Sequence, residues 1–333
     1  MQKIDRSYLR KFRYSVQWGI FALTAFSGYR LYLFAEHFAS GYKTPLVERP
    51  PLVDGFLPIG ALMSLKLWIT EGIFDPIHPA ALVIFISAIA ISAVLKKAFC
   101  GWICPLGALS EAVFKTGRKV FGRNPILPKF IDYPLRSVKY MLLVFFLYVV
   151  GKMSSGALAG FLSEPYWKVA DIKMLGFFTE MSSLTFYVLL ALFALSLPFK
   201  NFWCRYLCPY GALLGLLSLL SPFKITRREE ACIHCHKCTA NCPSLLPVED
   251  KVRIKSPECT GCLTCVSLCP SKGALEMSLP AKKSVRPLIY VILVMAVFFG
   301  IIAAAKLTGH WHSNVTYEEY KAVIPAISEL EHP

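Results

Sequence analysis

The chain has 333 residues, 55% of them hydrophobic, with a mean hydropathy of +0.51 and a formal net charge of +15. That apolar share exceeds the usual soluble range of about 45–50%, which excludes an ordinary soluble domain and predicts a membrane protein. A nucleic-acid-binding role is excluded too, because the basic residues are spread over short segments beside apolar runs and form no single groove.

Five stretches approach the roughly 17–25 residues that cross a bilayer as a helix. They run approximately from Tyr14 to Phe34, Ala80 to Leu95, Val138 to Val150, Leu184 to Leu197 and Pro287 to Ala305. Arg30 lies near the far end of the first, and no small-residue cleavage site follows, so it reads as a retained anchor and not a signal peptide. With a cytoplasmic N-terminus, twenty-seven Lys and Arg fall on the cytoplasmic side and nine outside, and the opposite orientation would invert that bias. The predicted order is a cytoplasmic N-terminus (1–13), a first membrane repeat (14–109), a basic cytoplasmic loop (110–136), a second membrane repeat (137–222), a cytoplasmic module (223–280), a fifth helix (286–307) and a periplasmic acidic tail (308–333).

The repeat is read from matching landmarks. Gly55-Phe56-Leu57 precedes one span and FCGWICPLGAL (Phe99 to Leu109); Gly160-Phe161-Leu162 precedes another and WCRYLCPYGAL (Trp203 to Leu213). The two CxxxCP runs are 104 residues apart and the two Gly-Phe-Leu starts 105, an agreement that predicts two parallel halves related by an axis along the membrane normal.

All twelve cysteines fall into two kinds of run. Two read CxxxCP: Cys100, Cys104, Pro105 and Cys204, Cys208, Pro209. Two read CxxCxxCxxxCP: Cys232, Cys235, Cys238, Cys242, Pro243 and Cys259, Cys262, Cys265, Cys269, Pro270. The long run is the ligand spacing of a bacterial ferredoxin with two [4Fe-4S] clusters, in which the fourth cysteine serves the other cluster. This assigns Cys232, Cys235, Cys238 and Cys269 to one cluster, and Cys259, Cys262, Cys265 and Cys242 to its partner. Structural zinc does not repeat this run, and disulfides need an oxidising compartment. Gly261 and the segments around Arg253-Ile254 and Ala274-Leu275-Glu276-Met277 fit a small module with short strands outside the cluster loops. His234 and His236 lie inside the first loop and read as hydrogen-bonding neighbours of a cluster, since four cysteines suffice as ligands.

The fold class is therefore an α-helical polytopic membrane protein of about five spans, with two parallel repeats each ending in CxxxCP and a small α+β two-cluster ferredoxin module. Three readings of Cys100, Cys104, Cys204 and Cys208 stay open. They form a third iron–sulfur or metal centre, or an exchangeable dithiol with acidity raised at the helix N-termini that start at Pro105 and Pro209, or they only pack.

On the outer face, His78, Asp75, Glu36 and His37 are candidates for a quinone site, because quinol oxidation releases protons that a histidine or carboxylate can accept. The structural alternative is that Asp75 caps the turn before Pro76 and His78 satisfies nearby backbone groups. Glu164, Trp167 and Asp171 occupy the matching loop of the second half, where Tyr166 and Trp167 also suit interfacial anchoring. In the tail, His310 and His312 flank Trp311, but no CxxCH is present to attach a c-type haem. Trp311 reads as an interface marker, and Glu318, Glu319, Glu329 and Glu331 as a face for a protein partner.

Paired FCGWICPLG and WCRYLCPYG runs on a multi-span chain, followed by a two-cluster module, resemble the NapH and NosR type of membrane iron–sulfur protein. The resemblance covers roughly Tyr14 to Met277. It implies a quinol dehydrogenase membrane component that exchanges electrons between the quinone pool, cytoplasmic-side clusters and a periplasmic respiratory reductase or its donor. The chain differs from NosR in lacking a large periplasmic flavin-binding domain before the first span, and from oxidase-assembly relatives in carrying a fifth span and acidic tail. The expected partners are the lipid bilayer, the quinone pool and a periplasmic or membrane redox protein. The alternative is a maturation factor that reduces a metal or disulfide centre of a membrane partner. Cluster potentials span about −700 to +450 mV, so the same residues serve electron flow in either direction.

Overall fold

A computed structural model describes residues 7–280, 283–327, 329 and 330. Helices dominate the first two thirds of the chain. In order they are α1 (Ser7–Ala39), a 3-10 turn (Pro51–Phe56), α2 (Pro58–Glu71), α3 (Pro79–Leu95), α4 (Ala98–Trp102), α5 (Pro105–Phe121), α6 (Lys129–Lys152), α7 (Ser155–Ser163), α8 (Pro165–Lys168), α9 (Ala170–Thr179), α10 (Ser183–Ser196), a π-helical turn (Trp203–Leu207) and α11 (Pro209–Leu217). Then follow β1 (Lys224–Arg227), α12 (Lys237–Ala240), α13 (Thr264–Leu268), β2 (Leu275–Ser278), β3 (Ser284–Val285), α14 (Pro287–Leu307) and α15 (Tyr317–Val323). Proline opens α2, α3, α5, α8, α11 and α14, where its missing N–H would have no intrahelical partner and its fixed φ suits a first turn.

Each of the five apolar stretches lies largely or wholly in a helix. By length and composition α6 and α14 can each cross a membrane alone, and α9 with α10 can do so together as a pair bent by 78°. The bend has a local cause: Glu180 N–H closes α9 on Gly176 O at 2.8 Å, and Ser182 Oγ accepts Thr185 N–H at 3.2 Å to restart the helix. α3 is apolar but shorter.

The chain divides into two compact units. One comprises residues up to Phe21, Ala88–Leu143 and Leu190–Phe299. Its sheet is antiparallel in the order β1-β2-β3, with Lys224 opposite Ser278, Arg227 opposite Leu275, and Met277 opposite Val285. Ile225, Ile254, Leu263, Val266, Leu275 and Met277 are buried around it, which sets a dry floor beneath the cysteine loops. The strand expected near Arg253 is a single bridge to Thr226, and β1 takes the place beside β2.

The other unit comprises Ala22–Ser87, Val144–Leu189 and the chain from Gly300 onward. Leu31, Phe34, Phe38, Val53, Val169, Ile172, Tyr320 and Ile324 form a buried cluster in it. Lys66 Nζ donates to the carbonyls of Val150, Gly151 and Met153 at 3.0, 2.9 and 2.6 Å, placing a cation at the negative end of α6. The segment from Ser155 to Thr179 is largely helical (α7 to α9), and the two Gly-Phe-Leu landmarks differ locally: one sits at the end of a 3-10 turn, the other within α7.

The tail also differs from a free acidic face. α15 begins with a capping box in which Thr316 and Glu319 satisfy each other's backbone N–H, and Lys168 Nζ donates to Glu319 at 2.6 Å. Trp311 is buried, with the Lys306 ammonium 5.7 Å above its ring, and does not stand out as an anchor. Glu331 lies outside the described residues.

Candidate redox centres

The two long cysteine runs fold into matching loops. His234 and His236 in the first have φ of 49° and 58°; Gly261 and Leu263, at the same positions of the second, both have 58°. Alternating left-handed residues curl the backbone so that successive N–H groups face one concavity, an arrangement suited to an anionic cluster. His234 shows that a side chain can take this φ; a glycine at 261 is required because a Cβ there would stand 2.2 Å from Tyr290 Oη.

One cavity is lined by Cys242, Cys259, Cys262 and Cys265, and a second by Cys232, Cys235, Cys238 and Cys269. Each thus joins three cysteines of one run to the fourth of the other. An all-sulfur donor set of four suits a [4Fe-4S] cluster. Arg13 Nη1 donates to Thr264 Oγ1 at 2.6 Å. Burial alone would raise the Cys262 thiol, but the Arg13 charge and the hydrogen bond with Thr264 outweigh it and hold Cys262 below the ordinary 9.0. His236 Nδ1 lies 2.7 Å from Glu249 on an exposed face, beside the exposed Cys235.

The two short runs also match. In each, an apolar helix leads to a short helical turn carrying the first cysteine, the second cysteine is the N-cap, and proline opens the next helix. Cys104 and Cys208 have similar extended torsions, φ/ψ of −61/120° and −75/104°. Cys100, Cys104, Cys204 and Cys208 all line one cavity of about 100 Å³, against about 20 Å³ in each ferredoxin loop. Burial pushes Cys100 up to about 11, Cys204 up to about 12, and Cys104 well above 9.0. Of the two N-cap cysteines, Cys104 is raised by burial and not acidified, which speaks against the exchangeable-dithiol alternative at that residue. Ligation here has to displace protons.

Cys262, Thr260, Pro243 and Ser244 line both this cavity and the cavity with Cys259. The join is tight. Trp102 Nε1 donates to Gly261 O at 3.2 Å, and a Cβ on Gly101 would stand 2.9 Å from Thr260 O. On the other side Lys200, Asn201 and Arg205 donate to Ala240, Pro243 and Ser244 carbonyls at 2.9, 3.0 and 2.8 Å. Each short run is thus held to one cluster loop.

Several charged residues of this site escaped the sequence reading. Glu258 accepts from Lys139 Nζ at 2.6 Å and from Tyr140 Oη at 3.2 Å. Its burial favours the neutral acid, but Lys97 and Lys139 outweigh that and hold the carboxyl below 4.5. Lys97 and Glu258 lie next to motif segments in the sequence, and that adjacency was the available signal.

The quinone-site candidates belong to the second unit, and two of them, Asp75 and His78, join one buried network. Asp75 Oδ1 accepts the N–H groups of Ile77 and His78 at 2.9 and 3.2 Å, while Oδ2 accepts Ser64 Oγ at 2.8 Å and Trp167 Nε1 at 3.1 Å. His78 is fully buried. Its Nε2 donates to Trp167 O at 2.6 Å, and its Nδ1 lies 3.0 Å from Asp54 Oδ1 and 2.8 Å from Arg49 Nη2. Arg49 also donates to Asp171 Oδ2 at 2.8 Å. The structural alternative for Asp75 describes what its carboxylate does, and Trp167 is a network member rather than an exposed anchor. His37 is tied to Thr44 O at 2.6 Å and Tyr317 Oη at 3.1 Å; Glu36 is half-buried. His310 stacks edge-on against Phe74, and His312 lies 3.8 Å from Glu48.

Burial lowers the His78 imidazole, but Asp54 outweighs it and raises the group above 6.5; Arg49 opposes and Asp171 assists. A raised histidine contributes stability that is complete below the unfolded value and is lost as pH rises through the folded one. The unfolding temperature should therefore fall as pH rises above about 6.5, by about 2–4 °C for each kcal/mol lost. In His78→Gln this part of the slope disappears; an unchanged slope contradicts the assignment.

Among the described residues no three His, Cys, Asp or Glu side chains converge closely enough for a single metal ion. A family of 4Fe-4S binding domains matches residues 77–124 and 184–228, and one of 4Fe-4S dicluster domains matches 224–270. The putative electron transport protein YccM of Escherichia coli is 41% identical over 96% of this chain and 91% of its own length. The ferredoxin-type protein NapH of E. coli is 26% identical over 65% of this chain and 71% of its own, and the regulatory protein NosR of Pseudomonas aeruginosa 32% over 50% and 23%. No solved structure matches. Cysteine loops that close on four-sulfur cavities, and similarity to YccM over nearly the whole of both chains, lead to one statement: this chain belongs to the family of ferredoxin-type 4Fe-4S membrane electron-transport proteins.

Proposed function

We propose that the protein carries single electrons between the quinone pool and a periplasmic respiratory reductase or its donor, as the membrane component of a quinol dehydrogenase. In this reading five helices cross the membrane, the N-terminus and all cysteines are cytoplasmic, and the tail is periplasmic. Cys232, Cys235, Cys238 and Cys269 hold a distal cluster, and Cys242, Cys259, Cys262 and Cys265 a proximal one. Cys100, Cys104, Cys204 and Cys208 hold a third centre. Such centres, when bound, supply one-electron chemistry. The chain's own part is to fix their order and exclude water between them.

The observation that carries this reading is the cavity of the four short-run cysteines, which shares Cys262 and Thr260 with the proximal cavity. A four-thiol site walled by a cluster ligand offers a step between the ferredoxin module and the membrane-embedded helices. The repeat is supported by one family model matching a segment around each CxxxCP run. Similarity to the putative electron transport protein YccM and the ferredoxin-type protein NapH supports a redox partner.

The test is anaerobic mixing of the purified protein with menaquinol. Rapid bleaching of cluster absorbance supports the proposal. Inertness to menaquinol together with turnover of Cu(II) or a client disulfide replaces it with a maturation role.

A further inference from the structure

We infer that Lys97 is the counter-charge of the four-cysteine centre and sets how readily that centre accepts an electron; the inference rests on the reading that these cysteines hold a redox centre. Lys97 is 4% exposed and lines the cavity with Cys100, Cys104, Cys204 and Cys208. Its Nζ is 3.5 Å from the point where a Cβ on Gly211 would stand, and Cys208 Sγ is 3.4 Å from the same point. The ammonium therefore shares the Gly211 corner of the cavity with a short-run sulfur.

The other charges lining this cavity are matched. Arg13 pairs with Glu111, Arg205 with Asp132 at 3.0 Å, and Glu258 is engaged by Lys139 at 2.6 Å. The neighbouring Lys96 donates to Ser256 O at 3.2 Å. Among the described residues Lys97 makes no ion pair and no hydrogen bond of this kind. A buried ammonium carries a large desolvation cost, and the one carboxylate beside it, Glu258, is shared with Lys139. Four thiolates around a metal centre bring further negative charge to that cavity.

Reduction by one electron adds one further negative charge there and needs no proton. A fixed ammonium beside it favours the reduced form, so removal of that ammonium lowers the midpoint potential. The two ferredoxin cavities are not lined by Lys97, and their potentials should not follow.

The experiment is an anaerobic redox titration, with dithionite as reductant and EPR as readout, on the full chain, Lys97→Gln and Lys97→Arg, with iron counted in each. Wild type is expected to hold about twelve irons in three signals. In Lys97→Gln the reduction equilibrium of one signal should weaken about tenfold, a fall of about 59 mV for one electron, with the other two unmoved. Lys97→Arg should stay near wild type. If the Gln variant fails to retain the third signal, retention in Lys97→Arg supports the charge assignment, and loss in both overturns it. Twelve irons with an unmoved midpoint in Lys97→Gln overturns the Lys97 role alone. About eight irons in wild type overturns the underlying third centre.

Discussion

Replacing both Cys100 and Cys204 by serine is expected to take the anaerobically purified protein from about twelve irons per chain to about eight, four being the content of one cubane. The two ferredoxin signals should persist, because each of their cavities is lined by four other cysteines. Electron exchange with menaquinol should fall at least tenfold, since the removed centre lies on the proposed route. The expectation follows from the convergence of both short runs on one cavity, and from burial that keeps Cys100 and Cys204 protonated until a metal displaces the protons. Equal iron in wild type and variant would show that these cysteines hold no cluster.

A second large effect is expected from Glu258→Gln. Lys139 is fully buried and Glu258 nearly so, the two paired at 2.6 Å. A buried pair adds little net stability against a well-packed apolar substitute, but removing one member strands the other charge, at about 3–5 kcal/mol. The variant should therefore unfold at markedly lower temperature. Because Glu258 directly precedes Cys259, the proximal cluster should become labile to a chelator before the distal one does. Glu258→Leu combined with Lys139→Met should recover part of the loss, since Lys139 is then not stranded while Lys97 still loses the Glu258 carboxylate. A single variant as stable as wild type, with both clusters equally resistant, would remove Glu258 from this role.

Much of the site was legible because cysteine chemistry is local and spacing-dependent. The runs at Cys232 and Cys259 announced two interleaved clusters, and the cavities pair the fourth cysteine of each run with the other loop, as that spacing implied. Helix existence was equally plain from apolar runs, and proline marked where α5 and α11 begin. The protonation of the short-run thiols was not legible: helix position is visible in a sequence, whereas desolvation depends on what closes over the sulfur from distant segments.

By itself, then, the sequence determined the donor set, the membrane class and the repeat of the CxxxCP runs, because each is a matter of residue type and separation along the chain. Only the tertiary structure decided that Cys100, Cys104, Cys204 and Cys208 share one cavity, that Cys262 forms part of its wall, and that Lys97, Glu258 and Arg13 supply its charge. It also decided that His78, which sequence offered either as a proton acceptor or as a partner of nearby backbone groups, is enclosed by Asp54, Arg49 and the Trp167 carbonyl. The physical reason is the same in each case. The potential and protonation of a buried group are fixed by neighbours a few ångströms away in space, and here those neighbours come from segments 24 to 89 residues apart for His78 and 98 to 251 for Arg13.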